Sequence, residues 1–314
     1  MKAFADMLEE RSARGINEKI FFIAARIAQR CYFGQDFFHC FENMLTDYHT
    51  HTPLCLHAEG HPREYAARAI EVGLAELGLS DHNPMPEYFD DWRMPMSDFP
   101  RYLEMVAEAR SEFPDVPIKL GLECDYLPGQ ESWIVETAQM AEWDYLIGSV
   151  HYISPEWAVD DPKHLSRWHG VGAVEEIWAA YWKNYEKLVR SCLFDFCAHP
   201  DLAKKFGFRP PGDLRHFYEP VIQALVDAQG VLEVSTAGLR KEVGEIYPSR
   251  EMLELAYSAN VPIVINSDAH KPSEVGQDFD QALQLVREVG YTTTVRFEKR
   301  QRIVVPLPAT WPNA

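Results

Sequence analysis

Between Asp47 and His57 the chain reads DYHTHTPLCLH, with three histidines in nine positions. His49 and His51 lie two apart, so on a strand both imidazoles face the same side. His57 follows Pro53, in a segment that can fold back over that face. Neutral imidazole is the commonest nitrogen ligand for divalent metals. An isolated His-x-His fits a satisfied structural pair equally well, but the chain keeps returning residues of the same kind. His82, Glu123, His151, His199, Asp268 and His270 follow, each after an apolar run. This imidazole-and-carboxylate set suits Zn, Mn or Fe and not a thiolate cluster. Nine candidate ligands (His49, His51, His57, His82, Glu123, His151, His199, Asp268, His270) exceed what one ion takes. They imply two or three divalent ions, with Glu123 a natural bridge. Ions held about 3.5–4 Å apart clamp the attacking and leaving oxygens of a phosphoryl displacement.

The elements that must position these residues alternate along the chain. Strands are predicted at 45–49, 74–80, 118–122, 145–150, 193–198, 231–234 and 262–266. Helices are predicted at 62–72, 98–113, 131–142, 174–191, 214–228, 252–259 and 279–289, and two strand-like runs close the chain. Pro62 and Gly73 bracket the first helix as start and stop signals. Seven β-then-α units imply a parallel α/β fold, and at this length a closed or distorted seven-stranded barrel. Six of the seven strands end in at least one candidate ligand, and in (β/α) barrels those ends share one face. The sixth strand brings none; after it comes STAGLRK (235–241).

Residues 1–43 differ from the rest. They hold charged residues (Glu9, Glu10, Arg11, Arg14) and an aromatic cluster (Phe33, Phe37, Phe38, Phe41). Met44 is the natural start, or the first 43 residues form a helical extension outside a domain at 44–314; a helix pair packed on the barrel fits as well.

The chain has 314 residues and a formal net charge of −18. That acidity disfavours a nucleic-acid partner, because phosphate contacts need Lys and Arg, but a small phosphorylated substrate needs only a local cluster of cations. Six cysteines without a C-x-x-C pair read as reduced, mostly buried thiols. No apolar run reaches the roughly 18 residues of a membrane span. The expectation is a cytoplasmic protein.

The stretches DYHTHTPLCLHAEGH (47–61), LSDHNPMP (79–86), GLECDY (121–126), GSVHY (148–152), CAHPDLAKKFG (197–207), STAGLRK (235–241), YPS (247–249) and NSDAH (266–270) resemble the polymerase-and-histidinol-phosphatase (PHP) superfamily. The DHNPMP and STAGLRK segments, with PLCLHAEGH, resemble its monofunctional histidinol-phosphatases. The resemblance implies a distorted seven-stranded barrel with a trinuclear metal site. It implies one ion on His49, His51, Glu123 and Asp268, a second on His57, His82 and His270, and a third on Glu123, His151 and His199. It implies hydrolysis of L-histidinol phosphate to L-histidinol and phosphate in histidine biosynthesis.

Glu123, Asp268, His270 and Arg240 are the candidate catalytic residues. The poor alkoxide leaving group needs a metal or an acid, for which His270, Asp201 and His169 all qualify. Arg240 carries a planar fork that matches phosphate, with Lys204 or Lys205 as second choices. Glu156 can pair with the substrate's amine or imidazole. Trp168, Trp178 and Trp182 read as packing, Cys55 and Cys124 as core, and His61 as undecided between substrate and loop cap. Two alternatives remain: a PHP phosphoesterase acting on nucleotides or oligonucleotide ends, and a non-catalytic PHP accessory module. The second is expected to have lost ligands.

Overall fold

The computed structural model describes residues 45–311. The expected extension at 1–43 and the domain start at Met44 lie outside them. The parallel strands divide into two sheets. β1 (Thr46–Asp47), β2 (Glu76–Leu79) and β3 (Ile118–Leu120) form one, in that order. β4 (Glu123–Asp125), β5 (Ile147–Ser149), β8 (Phe196–Cys197), β9 (Leu232–Ser235) and β10 (Ile263–Asn266) form the other, all parallel. Ladder pairing therefore does not run unbroken around a seven-stranded barrel. Isolated parallel bridges, Thr50–Ala269 and His82–Glu123, lie where the two sheets meet.

The expected third strand is split into β3 and β4. Gly121 sits at the break because Tyr145 packs against it. A Cβ there would stand 2.2 Å from Tyr145 Cε2. The break lets β3 pair with β2 below while β4 pairs with β5 above. A short hairpin unforeseen in the sequence, β6 (Tyr152–Ser154) with β7 (Trp157–Ala158), follows β5.

Seven α-helices are described: α1 (Pro62–Val72), α2 (Phe99–Glu112), α3 (Glu131–Thr137), α4 (Ala173–Ser191), α5 (Arg215–Ala228), α6 (Arg250–Ser258) and α7 (Phe279–Val289). α1 runs between its two sequence signals. His61 and Glu64 form a capping box at its start, Pro62 occupies the first turn, and Gly73 ends it at φ 78°. His61 is thus a helix cap. α3 stops earlier than expected, where Trp143 Nε1 donates to the Thr137 carbonyl at 3.0 Å. Among the described residues no helix is long and apolar enough to cross a membrane.

Two hydrophobic layers hold the strands. Tyr48, Tyr145, Ile147, Phe196, Val231 and Val264 fill the space between the sheets. The antiparallel pair β11 (Thr293–Glu298) and β12 (Gln301–Pro306) adds Val295 and Phe297 to that layer. Its contacts fall on the N-terminal ends of the strands: Thr294 Oγ1 donates to Ile263 O at 3.0 Å, and Arg302 Nη1 to Gln229 O at 2.9 Å. The opposite, C-terminal ends are left free of this cover. Trp168, Trp178 and Trp182 belong to the core between helices and strands, as do Cys124 and Cys197.

Candidate metal centre

All nine candidate ligands converge at the C-terminal ends of the strands, around Glu123. Glu123 is 1% exposed, and its two oxygens face different imidazoles. Oε2 lies 2.9 Å from His82 Nδ1, 3.3 Å from His49 Nε2 and 3.5 Å from His51 Nε2. Oε1 lies 3.0 Å from His199 Nε2 and 3.6 Å from His151 Nε2. Asp268 Oδ1 stands 3.2 Å from His51 Nε2 and 3.6 Å from His49 Nε2. His270 stacks on His51 with ring centroids 4.1 Å apart, and His57 lies 4.6 Å from His270 and 5.4 Å from His82. His57 is the exposed member.

The strands place these groups by simple rules. His49 and His51 share a face because they are two residues apart just beyond β1. His82 and Glu123 meet because their backbones bridge in parallel. His199 and Asp268 leave their strands with positive φ, 22° and 52°. Non-glycine residues adopt that region at a cost of about 1–3 kcal/mol, typically at functional sites.

The inner imidazole nitrogens are not satisfied by protein. His49 Nε2, both nitrogens of His51, His82 Nδ1 and His199 Nδ1 are buried without a hydrogen-bond partner. Those of His49, His51 and His82 lie close to carboxylates but out of line for donation, while His199 turns its other nitrogen, Nε2, to Glu123 Oε1. A buried polar atom without a partner costs about 1–3 kcal/mol, so five in one cluster need an occupant. Ligand atoms of His49, His51 and Asp268, of His57, His82 and His270, and of His49, Glu123 and His199 all lie within 4.8 Å of one another. The donor set therefore fits divalent cations. Burial alone would raise the Glu123 carboxyl, but His82, His49 and His151, with a hydrogen bond from His199, hold it well below the usual range. Burial likewise opposes ionisation of Asp268, and His49, His51 and His270 overcome it.

Behind the ligands stand residues that the sequence did not single out. His49 Nδ1 donates to Glu233 Oε1 at 2.9 Å, and His151 Nδ1 to Asp125 Oδ1 at 2.8 Å. Asp125 also pairs with Arg93 Nη2 at 2.7 Å. The carbonyls of Cys55 and Asp268 accept from His57 Nδ1 at 2.8 Å and His270 Nδ1 at 3.2 Å. Such partners orient the ring and leave the far nitrogen for a metal. Two signals could have found the acids. Asp125 is two residues from Glu123, on the same strand face, and Glu233 is the lone charge in the buried strand LEVS.

The expected substrate residues divide. Arg240 lies beside the centre: its Nη2 donates to Ser267 O at 2.6 Å and Asp268 O at 3.2 Å, and its buried Nη1 has no partner. Lys204 does not lie open to a substrate. It is fully buried, and a buried ammonium must pair; its Nζ donates to Ile246 O at 2.8 Å and lies 3.1 Å from Asp201 Oδ2. Lys205 pairs with Asp160 at 3.1 Å. Asp201 accepts from Ser249 N at 2.8 Å, and His169 is exposed, edge-on to Phe208. Glu156 is exposed at the β6–β7 turn. Cys55 is buried, with its sulfur near His51 and His270.

The PHP domain family matches residues 47–237. A probable histidinol-phosphatase of Deinococcus radiodurans is 40% identical over 82% of this chain and 98% of that protein. The histidinol-phosphatase of Bacillus subtilis is 26% identical over 76% of this chain and 98% of that protein. The crystal structure of histidinol phosphate phosphatase from Lactococcus lactis, complexed with Zn, L-histidinol and phosphate, shares the fold. Its TM-score is 0.71 at 22% identity, covering 83% of this chain and 99% of that one. The matched span carries the strands from β1 to β9, and the relatives extend the match over most of the chain; the chain belongs to the PHP family, among the histidinol-phosphatases.

Proposed function

We propose that this protein is a metal-dependent phosphomonoesterase that hydrolyses L-histidinol phosphate to L-histidinol and phosphate, a step of histidine biosynthesis. Metal dependence is carried by one observation, the convergence of unpaired nitrogens of His49, His51 and His82 on Glu123 Oε2. The substrate is carried by the relatives' length-wide similarity.

Two or three divalent ions, Zn, Mn or Fe, fit the donors. His49, His51, Glu123 and Asp268 would hold one, His57, His82 and His270 a second, and Glu123, His151 and His199 a third. The split of Glu123, with Oε2 toward His49, His51 and His82 and Oε1 toward His151 and His199, supports its bridging role. When bound, such ions acidify water near neutral pH and neutralise phosphoryl oxygens.

The chain's own residues do the rest. Glu233 and Asp125 keep His49 and His151 turned inward. Asp268 and His270 close the same face, and Arg240 offers its unpaired Nη1 to a phosphate oxygen while its Nη2 fixes the Asp268 loop. Lys204 is held apart from that face by Asp201 and the Ile246 carbonyl. Glu156, on the hairpin beside His151, remains the candidate for the substrate's amine. The two sheets read as arcs of one distorted seven-stranded (β/α) barrel, which the bridges Thr50–Ala269 and His82–Glu123 support. The phosphatase domain is placed at 44–314, a span that contains the family match at 47–237 and all nine ligand-type residues.

The test is phosphate release from histidinol phosphate beside 3′,5′-nucleoside bisphosphates, with and without a strong chelator, on the full chain and on a chain starting at Met44. Chelator-sensitive turnover of histidinol phosphate by both is expected. Full activity in metal-free protein, or preference for the nucleotides, overturns the reading. Loss confined to the shorter chain assigns residues 1–43 to the domain.

A further inference from the structure

β9 contributes no direct ligand, yet it carries the carboxylate with the most demanding position in the centre. Glu233 is 0% exposed. Three N–H groups from three other strand ends donate to it: His49 Nδ1 at 2.9 Å and Asn266 Nδ2 at 2.8 Å to Oε1, and the His199 backbone N at 2.6 Å to Oε2. Asn266 cannot turn to relieve the arrangement, because its Oδ1 accepts from Tyr48 N at 2.8 Å. His199 is the residue whose backbone stands at φ 22°. Glu233 thus grips the imidazole of one candidate ligand and the strained backbone of another, and the two face different oxygens of Glu123.

We infer that Glu233 is the positioning residue that couples two metal positions, by fixing the His49 tautomer and the His199 backbone at once. This rests on the metal reading above for its ligands, but not on the identity of the substrate. The chemistry is specific. Three donors need a group that only accepts, and an ionised carboxylate is the side chain that offers this. An amide of the same size must aim its own N–H₂ either at the His199 N–H or at the His49 and Asn266 donors. It cannot face the His199 N–H, which is a fixed donor. Aimed at His49, it favours the tautomer with the proton on Nε2, and the lone pair that faces Glu123 is lost.

The experiment measures metal affinity by chelator competition, with Zn²⁺ and with Mn²⁺, on stripped wild type, Glu233→Gln and Glu233→Asp. The melting temperature of each stripped protein is recorded beside it. Removing a carboxylate behind a ligand lowers metal affinity by about 10–100-fold. We expect that loss in Glu233→Gln, fewer ions retained per chain, a stripped protein that melts near the stripped wild type, and partial recovery in Glu233→Asp. Unchanged affinity in Glu233→Gln overturns the inference. So does an affinity loss that merely follows a large fall in melting temperature in both variants. Should Glu233→Gln not fold, Glu233→Asp is read by the same two criteria. None of these readouts uses histidinol phosphate, so a wrong substrate would leave the result standing.

Discussion

Two buried glutamates, one toward each end of the parallel strands, are treated in opposite ways. Glu76 opens β2 and Glu123 opens β4, but β4 begins one layer higher, at the level of His82. Glu76 is 3% exposed and fully paired: the Tyr48 hydroxyl and Arg296 Nη2 both donate to it, and Lys119 Nζ stands 3.8 Å away. Glu123 is as deeply buried, but the imidazoles around it keep nitrogens that nothing in the protein satisfies. A buried charge matched by fixed partners closes a fold, and here it seats the β11–β12 hairpin under the strands. A buried charge ringed by unpaired lone pairs costs stability unless something else binds. The distinction between structure and function in this protein is legible in that contrast.

The contrast breaks most visibly at Glu123. Glu123→Gln keeps the size and removes the charge that both halves of the cluster share. Metal content per chain should fall, and kcat/KM should drop by more than about a hundredfold, beyond the usual loss for partners behind ligands. Metal analysis matching wild type, with a rate within tenfold, would end the bridging role.

A smaller effect is expected at Arg240. Losing one charge-assisted contact to phosphate is worth roughly 1.5–3 kcal/mol, so Arg240→Ala should lower kcat/KM on the order of ten- to a hundredfold. Metal content should stay intact, since Arg240 donates its hydrogen bonds to carbonyls of the Asp268 loop and not to a ligand side chain. Arg240→Lys should recover part of the loss, because a point charge lacks the fork. If kcat/KM in Arg240→Ala is unchanged, the phosphate is held by the ions alone or by Lys205.

The smallest functional effect belongs to Glu76. Glu76→Gln leaves Arg296 short of its partner and should cost about 2 kcal/mol of stability, seen as a few degrees in melting temperature. Metal content and kcat/KM should remain those of wild type. A loss of bound metal in Glu76→Gln would mean that the two ends of the strands are not independent.

Much of the arrangement is legible in the amino-acid sequence. α1 and α7 run where periodicity and punctuation put them, because Pro62, Gly73 and the apolar spacing act locally. Eight of the nine ligand-type residues stand out because they fall at or just past predicted strand ends, and parallel strands bring such positions to one face. What the chain does not state is pairing. Whether the ladder is one barrel or two sheets depends on how Tyr145 packs against Gly121, a contact between segments more than twenty residues apart. The partners of each imidazole are hidden for the same reason. Glu233 and His49 are separated by 184 positions, and Lys204 reads as a free cation although the folded chain closes over it. Residue type and local spacing are enough to establish which chemistry is present and which end of the strands bears it. Which nitrogen of each histidine is spent on a carboxylate, and which is left for a metal, is settled only in the folded chain, because that choice belongs to atoms brought together from distant strands.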